Sequence, residues 1–95
     1  MMEAIAVQPY VIIERVVENQ EQITKFHDHE LCLFETKITS PHREFPIHQV
    51  YDMSFRIIGG EERFLYFHTH QGVQTFVVRT DPSPFIQAYR DLKTD

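Results

Sequence analysis

The sequence predicts a mainly β, α+β fold: an antiparallel sheet of five or six strands covered by one C-terminal α-helix. Three observations carry this. Tyr51, Met53, Phe55 and Ile57 alternate with Asp52, Ser54 and Arg56, the period of a half-buried strand. Gly59-Gly60 and Gln71-Gly72 then punctuate alternating stretches, as tight hairpin turns do. Finally, Asp81-Pro82-Ser83-Pro84 opens an apolar stripe at helical spacing. No strand–helix–strand alternation occurs, so the sheet is expected to be antiparallel.

Taken in order, Met1 to Gln22 is the least patterned part. AIAVQPYVIIERVVENQ is rich in β-branched residues and reads as a strand, with Pro9 at an edge position or bend. Because Val11, Ile12, Ile13, Val16 and Val17 do not alternate, a short helix from Val11 to Glu18 is the rival reading. ITKFHDHELCLFETKI reads as a hairpin turning at His27-Asp28-His29-Glu30, with Leu31 and Leu33 on one face and Cys32, Phe34 and Ile38 on the other. Ser40 to Glu44 is a polar loop around Pro41.

After the long strand through Tyr51, RFLYFHTH places Leu65 and Phe67 on one face and Phe64, Tyr66, His68 and His70 on the other. VQTFVVR sets Phe76 and Val78 opposite Val73, Thr75 and Val77. The helix spans about 82–93, with Asp81 or Ser83 as its cap and Phe85, Ile86, Tyr89 and Leu92 as its buried stripe.

Ninety-five residues make one domain, 1–95, and 42% hydrophobic residues, with eight Phe and four Tyr, can fill its core. Fourteen acidic residues oppose nine scattered basic ones, for a net charge of −5. Nucleic-acid and anionic-membrane binding draw on clustered Lys and Arg, so no nucleic-acid partner is expected and membrane-lipid binding is disfavoured. The single Cys32 allows no internal disulfide and reads as a small hydrophobe. No secretory leader pattern or membrane-length apolar run is present, and a cytoplasmic protein is expected.

ELCLFETKI, FPIHQVYDMSFRI, the Gly59-Gly60 turn, RFLYFHTHQGVQTFVV and DPSPFIQAYRDL together resemble, in pattern and order, the small bacterial pleckstrin-homology-like (PH-like) domains. The resemblance covers roughly residues 22–93. It implies a bent antiparallel β-barrel or sandwich of six or seven strands, capped at one end by the terminal helix. Lipid-binding relatives carry a basic pocket near the first hairpin loop, whereas the corner His27-Asp28-His29-Glu30 is acidic to neutral. Other relatives bind peptides or proteins.

The constellation with chemical content is two His-x-His pairs, His27/His29 and His68/His70, which alternation on a strand would put on one face. They lack the flanking glycines of a cupin metal site, and His27/His29 fall in the expected turn. Ser40, Ser54 and Ser83 have no nucleophile-elbow context, and Glu61-Glu62 reads as a solvated tip. No catalytic, metal or cofactor residue is therefore assigned. The expected function is a non-enzymatic PH-like module that binds a protein or peptide, or itself, through an open sheet edge or the Phe64–Tyr66 face. The alternative is a small metal-binding protein using the histidine pairs.

Overall fold

A computed structural model describes residues 3–94. Seven antiparallel strands form one sheet: β1 (Ala6–Glu18), β2 (Glu21–Leu33), β3 (Lys37–Thr39), β4 (Glu44–Pro46), β5 (Val50–Gly59), β6 (Glu62–Thr69) and β7 (Gly72–Val78). A 3₁₀ turn, Ile47–Gln49, links β4 to β5, and α1 (Ser83–Lys93) follows β7. The order is β4-β3-β2-β1-β7-β6-β5, so two meanders meet where β1 lies beside β7. The sheet is bent over itself, in keeping with the expected bent barrel or sandwich of six or seven strands, but it is not closed, because β4 and β5 remain its edges.

Opposed residues inside the bend make the core. Leu31, Leu33, Ile38, Val50, Met53, Leu65, Phe67 and Val78 are fully buried. Phe45 on β4 meets Phe67 of β6 and Phe76 of β7 edge-on at 5.6 and 6.3 Å, which shows how far the first meander folds over the second. The helix plugs the open side as its stripe predicts: Phe85, Ile86 and Tyr89 are buried, Leu92 packs against them, and Phe85 stacks on Phe67. Each such side chain stabilises the fold by roughly 1.5–3 kcal/mol.

Pro82 is the N-cap and no side chain caps the helix, which corrects the expected cap at Asp81 or Ser83. Asp81, one residue earlier, accepts the Ser83 backbone N–H at 2.9 Å in an Asx turn that leads into the helix. From the other end of the stripe Tyr89 donates its hydroxyl hydrogen to the Val50 carbonyl, and Arg90 donates to Met53 O at 3.1 Å. Two helix side chains thus satisfy β5 carbonyls that have no further strand beside them, a common way to blunt an exposed edge.

Three local expectations are corrected and one choice between rivals is decided. First, β2 runs unbroken through His27-Asp28-His29-Glu30, which pair with Ile12, Val11, Tyr10 and Pro9. The first hairpin turns instead at Asn19-Gln20, both with positive φ (48° and 66°), the geometry of a two-residue type I′ loop. Second, the strand reading of this segment holds and its helical rival over Val11–Glu18 falls; the apolar residues fail to alternate because the β1–β2 ribbon beyond the body leaves both faces accessible, with Ile12 and Ile13 both exposed. Third, Ile38 is in the core beside Leu33, since those two are directly paired. Finally, of the row Tyr51, Met53, Phe55 and Ile57 only Met53 is buried: a register shift between Val50 and Asp52 puts Val50 in the core and throws Tyr51 out, and beyond Met53 both Phe55 and Ile57 are exposed.

Candidate functional site

The sheet is weakest at its middle. β1 and β7 pair only at Val11–Val77, whereas β1 pairs with β2 along its whole length and β7 with β6 along its whole length. Two physical causes act on either side of that bridge. Pro9, two residues before Val11, has no N–H, and a proline is tolerated in a strand where the missing donor faces away from the ladder. Beyond Val11 only two strands remain, and two-stranded ribbons twist more strongly than wider sheets, which carries β1 away from β7.

A fork results. One tine is the β1–β2 ribbon, which continues for seven residue pairs, from Ile12–His27 to Glu18–Glu21, and gives the molecule its 54 Å long axis. The other tine is β7 from Gly72 to Phe76. On the outer face the Arg79 guanidinium lies 4.9 Å from the Phe26 ring centroid, above the crotch where Val11 is buried.

In the crotch lies a cavity of about 360 Å³ lined by Tyr10, Val11 and Ile12 of β1, Gln74 to Val77 of β7, and Ser40, His42, Arg43 and Phe45 from the β3–β4 hairpin. Its aromatic floor is tightly held: Tyr10 meets Phe76 edge-on at 5.2 Å, and Phe76 meets Phe67 at 4.8 Å. Arg43 reaches in from the hairpin turn. Its guanidinium lies 4.8 Å from the Phe45 ring centroid and donates to Gln74 Oε1 at 2.8 Å. The turn is fixed by Ser40, whose hydroxyl bonds Arg43 O and accepts the Arg43 N–H.

The histidine pairs are not brought together. His27 and His29 share one face of β2, as alternation requires, but His27 pairs with Glu14 at 3.1 Å and His29 lies between the rings of Tyr10 and His42. His68 sits on the outer face of β6, and His70 lies in the β6–β7 turn beside Tyr51. Among the described residues no group of three or more His, Cys, Asp or Glu could hold a metal ion.

One contact was invisible in the sequence. Ser54 Oγ and His68 Nε2 are 2.8 Å apart, a serine–imidazole hydrogen bond of the kind that activates nucleophiles. It joins strands fourteen residues apart in sequence, and no motif spacing announces it. Asp52, the carboxylate nearest in register to His68, lies 3.7 Å from Arg90 instead. The pair lies on the face of β5 and β6 that also carries Phe64 and Tyr66, both half-buried with ring centroids 6.2 Å apart, and Ser54 borders a cavity shared with Ser83, Ile86, Gln87 and Arg90 of the helix.

Compared with protein-family models, curated proteins and solved structures, the protein matches none. No helix among the described residues is long and apolar enough to cross a membrane.

Proposed function

We propose that the protein is a non-enzymatic, PH-like binding module that takes up an extended segment of a protein partner as an added strand in the β1–β7 fork. The single observation behind this reading is that two neighbouring strands of one sheet share one bridge and leave facing edges open, above an aromatic-lined cavity. Strand addition satisfies such backbone groups: main-chain hydrogen bonds supply affinity, and pockets for alternate side chains supply selectivity. The β5 edge is a poorer acceptor, since Tyr89 and Arg90 already bond its carbonyls at Val50 and Met53. Support for the PH-like reading is the order itself, a four-strand and a three-strand antiparallel meander followed by one capping helix.

Selection of random twelve-residue peptides on the full-length protein, followed by amide NMR mapping of the enriched ones, tests this. Shifts are expected to concentrate at Ile12–Val17 and Val73–Val77. Shifts centred on Ser54–Ile58 and α1, or no enrichment over a bare support, contradict strand addition in the fork.

A further inference from the structure

We infer that the fork selects a segment carrying a carboxylate, which Arg43 binds, beside an apolar side chain that enters the aromatic crotch. This deepens the strand-addition reading and rests on it. The charge of the site is the first reason. The protein has a net charge of −5, yet the charged or chargeable side chains lining the crotch are Arg43 and His42, and no carboxylate lines it.

The second reason is the state of Arg43. Among the described residues its guanidinium, like those of Arg15, Arg56, Arg63 and Arg79, has no carboxylate within 4 Å, but of the Lys and Arg residues Arg43 alone lines the cavity. Its one side-chain hydrogen bond goes to the neutral amide of Gln74. That bond and the Phe45 ring aim the guanidinium at the cavity while leaving donors of its five-donor fork for a two-pronged carboxylate contact.

The third reason is the chemistry around it. Tyr10, Phe45 and Phe76 present ring edges and faces within the same cavity. Residues two apart on a strand share one face. An incoming strand with an acidic residue and an apolar residue in that relation therefore places one against Arg43 and the other against the rings. An added strand runs on past Arg43, so the carboxylate is that of an Asp or Glu side chain; a free C-terminus, which offers the same two oxygens, is an outcome of the test.

The test uses isotopically labelled full-length protein and three peptides. The first is acetyl-Ser-Val-Glu-Val-Phe-Ser-amide, the second has Gln in place of Glu, and the third is the Gln peptide with a free C-terminal acid. With the native protein the Glu peptide is expected to bind about tenfold tighter than the neutral Gln amide, as hydrogen bonds to charged groups are the stronger ones. A free-acid peptide that binds tighter than the Glu peptide overturns the side-chain assignment in favour of a chain terminus. In Arg43→Gln, an exposed-site variant whose melting temperature is checked against the native protein, that preference should vanish. Equal affinity of all three peptides, with shifts still in the fork, overturns the carboxylate inference and leaves strand addition standing. If no peptide moves a fork amide at millimolar concentration, strand addition itself falls.

Discussion

Tyr89 joins the helix to the sheet through one buried hydroxyl. Burial, reinforced by the negative charge of Asp52 and opposed by Arg90, pushes its pKa up from 10.0 to about 12. An unfolded tyrosine releases its proton near 10, so the folded state holds this proton more tightly. The resulting stabilisation is complete below pH 10 and is lost as pH climbs from about 10 to about 12. Tyr89→Phe is expected to cost about 0.5–1.5 kcal/mol at neutral pH through the lost bond to Val50 O. Its melting temperature should then approach that of the native protein as pH rises towards 12. A constant gap across that window would count against the assignment. At the other end of the helix, hydrogen bonds from Ser83 hold the Asp81 carboxyl below its ordinary pKa. That contribution is present at neutral pH and fades as the solution is acidified through the lowered value. Asp81→Ala should lower the melting temperature slightly at pH 7 and less in acid, with Asp81→Asn retaining most of the native value, as calorimetry would show.

At the scale of elements, legibility followed burial. The strands β6 and β7 and the helix stripe of Phe85, Ile86 and Tyr89 could be read from periodicity because one face of each meets the core. The β1–β2 hairpin could not. Its outer half has no buried face to impose alternation, and its turn is Asn19-Gln20 and not Asn-Gly, so the strongest hairpin signal is missing. The polar run His27-Asp28-His29-Glu30 then looked like the turn, although its pairing with β1 is continuous. β3 and β4, three residues each, are too short to show a period. The Ser54–His68 contact and the β1–β7 fork lay beyond reach for another reason: both depend on strand neighbours distant in sequence. The positive φ of Gln20 costs about 1 kcal/mol of strain that glycine avoids. Gln20→Gly should therefore slow hydrogen exchange of the ribbon amides about fivefold. Unchanged or faster exchange would argue against a type I′ turn there.

Across the whole molecule, stability and openness are divided between regions. The body is a bent sheet with a continuous core from Phe45 through Phe67 to Phe85, and it holds the fork rigid at its foot. The ribbon, a two-stranded element with Val17 71% and Phe26 52% exposed, has little core of its own. Such ribbons are marginal in isolation, and a strand added in the fork would extend the sheet over it. A Phe67→Ala variant should lose about 3–5 kcal/mol and weaken the body as a unit. Chemical denaturation should show that loss as a shifted midpoint, and a midpoint within error of the native one would mean Phe67 is not central to the packing.

The most direct measurement of the fork is residue-resolved hydrogen exchange of the unliganded protein. The amides of Ile12–Val17 and Val73–Phe76 should fall into two alternating sets. Those bonded to β2 or β6 should be protected, and those pointing into the fork should exchange at close to the rate of an unfolded polypeptide. Uniform protection along both segments would mean that β1 and β7 are zipped together past Val11, and the binding site described above would not exist.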